Sequence, residues 1–215
     1  MIRKSRIETV EKLRKLFSSQ LDILRDRGCP EKILNILAER ERYVIPAYLA
    51  TRVNQKRLPF LPVLTPAHLK LKELMAMLRY KEKRGMVMAE DMEDDRYPIV
   101  DVVGSQAYLH TYFDPYHILD VEDGTATEGL DTRSAYRKIV SKDRSPLTVA
   151  ESISLCIFNN TLLKHSLWAL GSRWQREERI PNIYSCLDGT PALFHEDGPR
   201  KEELWATASC ARRVG

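Results

Sequence analysis

The sequence predicts an α+β fold in which N-terminal helices are followed by a small antiparallel sheet with inserted helices. Two observations indicate this fold. Apolar residues recur at three- and four-residue steps in the first part of the chain, which is typical of amphipathic helices. Later, short apolar runs alternate with turn dipeptides such as Asp123-Gly124 and Asp188-Gly189, and this pattern favours short strands joined by tight turns.

The first predicted helix begins at Ser5, because Ser5 and Glu8 have the spacing of a capping box. The segment Gly28-Cys29-Pro30 is predicted to end it, and Pro30 suits the first turn of a second helix. The apolar stripe of the first helix consists of Ile7, Val10, Leu13, Phe17, Leu21 and Leu24. Such a stripe must pack on something, and we expect it to dock on a second copy of the chain or on the acidic second half.

Prolines shape the prediction for the next segment. The stretch from Tyr43 to Leu64 contains three of them and is predicted to be irregular. Thr65-Pro66 is then predicted to start a third helix, which carries Leu69, Leu71, Leu74, Met75 and Leu78 as its buried residues.

The second half has clearer start and stop signals. Asp131 is predicted to cap a short helix through Val140, and Thr148 with Glu151 has the capping-box spacing that begins a longer helix. The predicted strands are Tyr97–Val103, Tyr116–Glu122, a hairpin of Ile180–Cys186 with Ala192–His195, and a final strand Leu204–Cys210.

Charge divides the chain into two regions. Residues 1–90 hold 20 Lys/Arg against 10 Asp/Glu, whereas residues 91–215 hold 14 against 20. We therefore predict a basic, mainly helical region over 1–90 and a mixed α+β region with the candidate site over 91–215. A basic region can bind nucleic acid, but its basic residues are not interleaved with aromatic ones as a base-stacking surface requires.

Several classes of protein are disfavoured by what the sequence lacks. No apolar run reaches the ~18 residues of a membrane span, and no secretory signal follows the basic start. The four cysteines are widely spaced and are expected to be reduced, as in a cytoplasmic protein. Neither a glycine-rich nucleotide loop nor a metal-ligand spacing of histidines occurs, so we expect no cofactor and no metal.

The first candidate site is the turn Gly171-Ser172-Arg173. Glycine lets the backbone approach a ligand, serine offers a hydroxyl, and arginine makes a bidentate fork for carboxylate or phosphate. With Ser209 and Arg212, these residues are predicted to form an anion-accepting surface. The alternative is a helix C-cap followed by an arginine that pairs with Glu151 or Glu178.

The second candidate is Cys210, which could act as a nucleophile. Neighbouring Arg212 and Arg213 could favour its thiolate form, and His165 or His195 would have to serve as the base. The alternative is a structural cysteine buried in a strand of small residues. We predict the structural role.

Four segments of the second half resemble a bacterial family known only as a domain of unknown function. They are Asp120–Gly124, Leu147–Glu151, Gly171–Arg173 and Ala208–Arg213, and the resemblance covers roughly Tyr116 to Gly215. It implies that this region is one structural unit, and it implies no reaction.

Three functional hypotheses follow from these observations. The first is a cytoplasmic, non-catalytic binding protein for a partner or a small anionic ligand, with homo-oligomers formed through the N-terminal helix. The second is a Cys-dependent enzyme that uses Cys210. The third is a nucleic-acid-associated protein that uses the basic N-terminal half, and we favour it least.

Overall fold

The structure, a computed structural model, describes residues 2–51, 57–65, 67–80, 82–88, 114–172, 179–197 and 203–215, without the side chains of residues 2–7 and 197. The predicted strand Tyr97–Val103 and the predicted site residue Arg173 lie outside these residues. The fold is α+β, with N-terminal helices followed by strands, as the sequence predicts.

The helices of the described residues are α1 (Ile2–Asp26), α2 (Glu31–Glu39), α3 (Glu41–Ala50), α4 (Leu71–Met77), α5 (Thr132–Val140) and α6 (Val149–Phe158). The strands are β1 (Leu58–Val63), β2 (Arg79–Tyr80), β3 (Lys83–Arg84), β4 (Met86–Val87), β5 (Tyr116–Val121), β6 (Ser145–Pro146), β7 (Ser166–Trp168), β8 (Arg179–Ser185), β9 (Pro191–Asp197), β10 (Trp205–Ala206), β11 (Ser209–Cys210) and β12 (Arg212–Val214).

The strands form several small sheets. One sheet has the order β1-β5-β12 and is antiparallel throughout. A second has the order β10-β7-β8-β9-β4, and two of its pairs, β10 with β7 and β4 with β9, are parallel. This sheet is therefore mixed: its central pairs, β7 with β8 and β8 with β9, are antiparallel, and its two outer pairs are parallel. Two further pairs, β11 with β6 and β2 with β3, complete the described strands.

Local start and stop signals predict the elements of the second half well. Asp131 caps α5 by accepting a hydrogen bond from the Ser134 amide at 3.0 Å. Thr148 and Glu151 form the predicted capping box of α6. The hairpin of β8 and β9 turns at Asp188-Gly189 as predicted.

The proline-rich stretch was predicted wrongly, since Tyr43–Leu64 contains most of α3 and all of β1. Pro46 lies inside α3, where the loss of one backbone hydrogen bond is offset by burial of the helix's apolar face. Pro59 and Pro62 lie in β1, which is an edge strand of its sheet. An edge strand needs ladder donors on one side only, so it tolerates proline.

Three other boundaries differ from the prediction. Helix α1 begins at Ile2 rather than Ser5. Helix α4 begins at Leu71 rather than after Thr65-Pro66, because Glu73 accepts a hydrogen bond from the Lys70 amide at 2.7 Å and so fixes the start there. The predicted strand Leu204–Cys210 is two separate strands, β10 and β11, which pair with different sheets.

The core draws on both charge regions. The largest apolar cluster includes Leu24, Leu37 and Leu74 from the first region, together with Ile153 and Cys210 from the second. A smaller cluster covers α1: Leu13 and Phe17 pack with residues of α3, β1 and β5. Leu13 and Phe17 of the α1 stripe thus pack inside the chain, partly on Leu119 of β5 in the second half. The division at residue 90 stays a prediction.

Candidate functional site

The Gly171-Ser172 turn is part of the framework that positions α6. A Cβ at Gly171 would lie 2.6 Å from the carbonyl carbon of Leu147, so this close approach requires glycine. Ser172 is buried, and its hydroxyl accepts a hydrogen bond from the Val149 amide at 3.0 Å. The turn therefore uses its hydroxyl to cap the start of α6.

Arg212 and Ser209 lie on consecutive strands that belong to different sheets. Arg212 is exposed on β12 and pairs in register with Leu119 of β5. Ser209 is buried, and its hydroxyl accepts a hydrogen bond from Nε of Arg144 at 2.9 Å. Ser209 thus binds Arg144, which was not among the predicted site residues.

Glu151, one of the two carboxylates offered as a partner for Arg173, is bound by another arginine, Arg213. Glu151 is fully buried, and its two oxygens accept hydrogen bonds from Arg213 Nε at 2.6 Å and Nη2 at 2.9 Å. The Tyr116 hydroxyl and the Thr148 amide each donate to it at 2.8 Å. This bidentate pair fastens β12 to the start of α6.

Cys210 has the environment of a structural thiol. It is fully buried on β11, opposite Ser145 of β6. Burial raises the pKa of its thiol to about 12, and this outweighs the opposing effect of Arg213. His165, the proposed base, is buried elsewhere with Nε2 2.9 Å from the Asp123 carbonyl oxygen. No hydrogen bond joins Cys210 to His165 among the described residues, so this geometry gives no support to thiolate chemistry.

A buried ionic cluster, which we call the Asp120 node, lies where β5 ends. Oδ2 of Asp120 accepts hydrogen bonds from Nη1 of Arg57 and from Nη1 of Arg144, each at 2.6 Å. Arg144 also donates from Nη2 to the Asp120 carbonyl oxygen and to the Ser209 carbonyl oxygen. Asp120 and Arg144 are both buried, whereas Arg57 keeps 24% of its side chain exposed.

Beside this node lies a cleft of about 520 Å³, which we call the Arg57 cleft. Its floor includes Leu58 and Val121, which are paired across β1 and β5. Such a volume falls within the usual range for a small-molecule site. The lining residues are Arg57, Leu58, Val121, Glu122, Asp123, Thr125, Ala126, Asn159 and Lys164.

Two carboxylates of the cleft hold its loop. Glu122 accepts a hydrogen bond from the Ala126 amide at 2.9 Å. Asp123 accepts from Lys164 Nζ at 2.8 Å and from the Thr125 hydroxyl at 2.7 Å. Burial alone would raise the pKa of Asp123, but these hydrogen bonds outweigh it and lower that pKa. Both acidic side chains are thus engaged in shaping the loop.

Gly124 lets this loop close against the body of the protein. Its φ is +104°, and a Cβ there would lie 2.9 Å from both His165 Nε2 and Ala206 Cβ. A glycine is therefore required by conformation and by space. Since a carbonyl can only accept, Nε2 of His165 is the donor in its contact with Asp123.

A comparison with protein families shows which family the chain belongs to. A model described as Family of unknown function (DUF5701) matches residues 22–206. The chain belongs to this family. The search of curated proteins and the search of solved structures found no match. Membership in DUF5701 confirms the resemblance to a family of unknown function and assigns no activity.

The Arg57 cleft and the Asp120 node were not predicted from the sequence of this DUF5701 chain. Arg57 fell in the stretch predicted to be irregular, and Asp120 was named only within the family resemblance. Arg144 lies 24 residues from Asp120 and 65 from Ser209. Such distances along the chain give no local signal. Two segments of the family resemblance gave a hint: Asp120–Gly124 lies at the cleft, and Ala208–Arg213 contains Ser209, which accepts a hydrogen bond from Arg144.

No helix among the described residues is both long enough and apolar enough to cross a bilayer.

Proposed function

We propose that this protein is a non-catalytic binding protein for a small anionic ligand, which it holds in the Arg57 cleft. The observation that carries the proposal is the charge of the Asp120 node. Two guanidinium groups share one carboxylate oxygen there, so the three side chains together keep one unit of positive charge. Arg57 presents this charge to the cleft.

The hydrogen-bonding of the two arginines supports this assignment. Arg144 uses Nε, Nη1 and Nη2 within the node. Arg57, by contrast, uses Nη1 alone among the contacts of the described residues. Its remaining donors are therefore available to a carboxylate or phosphate, which arginine binds strongly through paired hydrogen bonds.

Lys164 provides a second cation in the same cleft. Its side chain is 55% exposed and is held toward the cleft loop by Asp123 at 2.8 Å. The apolar floor of Leu58 and Val121 offers contact to the body of a small organic molecule. Cationic donors at the rim and an apolar floor together match the usual composition of a small-molecule site.

The geometry gives less support to the two sites predicted from the sequence, the anion-accepting surface and the Cys210 nucleophile. Ser172 and Ser209 are both buried, and their hydroxyls accept internal hydrogen bonds, so an incoming anion has little access to either hydroxyl. A Cys210 thiol with a pKa of about 12 stays protonated at neutral pH. The Arg57 cleft therefore supports binding of an anion better than either alternative supports its own function.

The test is an NMR titration of the isotope-labelled protein with inorganic phosphate and, separately, with succinate. We expect saturable shifts of amides around the cleft, with a Kd of about 1 mM or tighter for at least one probe. Arg57→Gln should weaken that binding at least tenfold, because it removes the charge and the forked donor.

Arg84→Gln is the matched control. Arg84 is an exposed arginine on β3, so the same change there should leave the affinity as it is. The proposal is wrong if neither probe gives saturable shifts at the cleft. It is equally wrong if Arg84→Gln and Arg57→Gln weaken binding to the same extent, since the effect would then be one of net charge alone.

A further inference from the structure

We infer that Asp120 is a positioning residue for Arg57, and that Arg144 and Ser209 hold Asp120 in place. This inference rests on the proposed function, because it explains how the anion-binding arginine is aimed. The order of contacts runs from the buried interior outward: Ser209 accepts from Arg144, Arg144 donates to Asp120, and Asp120 accepts from Arg57.

The backbone of Asp120 is the first observation in support. Its φ is +51°, a left-handed conformation, although it lies in β5 and is not glycine. Such a conformation costs free energy and persists where the surrounding contacts over-determine it, often at ligand sites. Leu58 pairs with Val121, and Phe60 pairs with Leu119. Asp120 therefore lies opposite Pro59, which has no N–H and cannot donate a hydrogen bond to Asp120 across the two strands.

Arg144 supplies the contacts that fix this conformation. It donates to the carbonyl oxygen of Asp120 and also to its carboxylate. One guanidinium thus holds the backbone and the side chain of the same residue. Arg144 is itself held by the hydroxyl and the carbonyl oxygen of Ser209, at 2.9 and 3.0 Å. The carboxylate of Asp120 is therefore rigidly directed before Arg57 meets it.

The charges distinguish positioning from simple neutralisation. One carboxylate is enough to compensate the buried Arg144. Bringing Arg57 to the same oxygen places two guanidinium groups side by side, where they repel each other. Arg57 lies just before an edge strand, with a quarter of its side chain exposed. A need for a cation at this point of the cleft explains why Arg57 is held at Asp120.

Asp120→Asn separates the two roles because they predict opposite changes. Removing a bystander carboxylate raises the positive potential of the cleft and should strengthen anion binding. Removing a positioning carboxylate frees Arg57 and should weaken it. We expect the affinity for inorganic phosphate, or for succinate if that is the probe that binds, to fall about tenfold.

A second readout does not depend on any ligand. Phenylglyoxal modifies accessible arginine side chains, and peptide mass spectrometry can follow Arg57 and Arg84 in the same sample. We expect Arg57 to react several times faster in Asp120→Asn than in the unaltered protein, because its anchoring carboxylate is gone. Arg84, far along the chain on β3, should react at an unchanged rate.

Because Asp120→Asn removes a buried charge, its fold must be checked by thermal melting and amide spectra. Ser209→Ala is the milder variant: it removes one acceptor from Arg144 and keeps all charges. Ser209→Ala should weaken anion binding and speed the modification of Arg57, each to a smaller extent than Asp120→Asn. It therefore tests the positioning role if Asp120→Asn does not fold.

The outcomes separate the two proposals. Absence of phosphate and succinate binding to the unaltered protein overturns the proposed function. The positioning role alone is overturned by a different result. In that case the unaltered protein binds an anion, and the folded variant binds it equally well or more tightly and shows unchanged Arg57 reactivity.

Discussion

At the scale of single residues, burial decides what a polar group can do, and His117 shows this most clearly. Its ring is 1% exposed and stacks on Phe17 with centroids 5.1 Å apart. Burial, with a smaller effect of Arg40, lowers the pKa of His117 to about 3 from 6.5. The folded protein therefore keeps this imidazole neutral at pH values where the unfolded chain protonates it.

This difference predicts a loss of stability in acid. Below pH 6.5 the unfolded state binds a proton that the folded state does not, so the free energy of unfolding falls as the pH drops from 6.5 toward 3. The contribution is about 1 kcal/mol per pH unit. Urea unfolding at pH 7 and pH 5 measures it.

His117→Gln should lose this part of the pH dependence, while His68→Gln, which changes a partly exposed histidine, should retain it. An identical pH dependence in the His117 variant and the unaltered protein would contradict the prediction.

At the scale of elements, signals contained within a few residues predicted structure reliably. Thr148 and Glu151 lie one helical turn apart, so their capping box is readable from the sequence. Prolines misled the analysis at α3 and β1, because tertiary packing and an edge position compensate for the missing donor. The cleft was not predictable in this way, since Arg57 and Asp120 are 63 residues apart.

The same capping glutamate also ties elements together, which leads to a prediction about Glu151. Its carboxylate receives the fork of Arg213 and the hydroxyl of Tyr116 in the interior. Breaking a buried ion pair leaves a charge uncompensated, so Glu151→Gln should lower the free energy of unfolding by about 3–5 kcal/mol. Denaturant titration is the measurement.

Two matched variants calibrate the loss at Glu151. Tyr116→Phe removes the hydrogen bond from the Tyr116 hydroxyl to Glu151 and should cost about 1 kcal/mol. Glu31→Gln removes the same charge from an exposed pair with Arg25, where solvent screening leaves little stability to lose. If Glu151→Gln is as mild as Glu31→Gln, the ion pair does not hold β12 to α6.

At the scale of the whole molecule, the basic first region and the acidic second region share apolar clusters as well as the Arg57–Asp120 pair. Phe17 of α1 lies against Phe60 of β1, with ring centroids 5.9 Å apart, and shares a cluster with Leu119 of β5. Gln20 adds a hydrogen bond to the Phe60 carbonyl oxygen at 2.9 Å. A homo-oligomer formed through this stripe would have to replace contacts that the chain already makes with itself.

The prediction at this scale is that α1 is an integral part of the core. Phe17→Ala should cost about 3–5 kcal/mol because it opens a cavity among buried rings, which lowers the Tm by roughly 6–20 °C in a chain of this size. Ser18→Ala, at the adjacent exposed position, should leave the Tm unchanged. Apolar burial is insensitive to screening, so the difference should be the same at about 0.1 and 1 M salt. Sedimentation should show one mass for all three proteins. A Phe17→Ala protein that melts like the unaltered one, or that changes its mass, would show that α1 docks elsewhere.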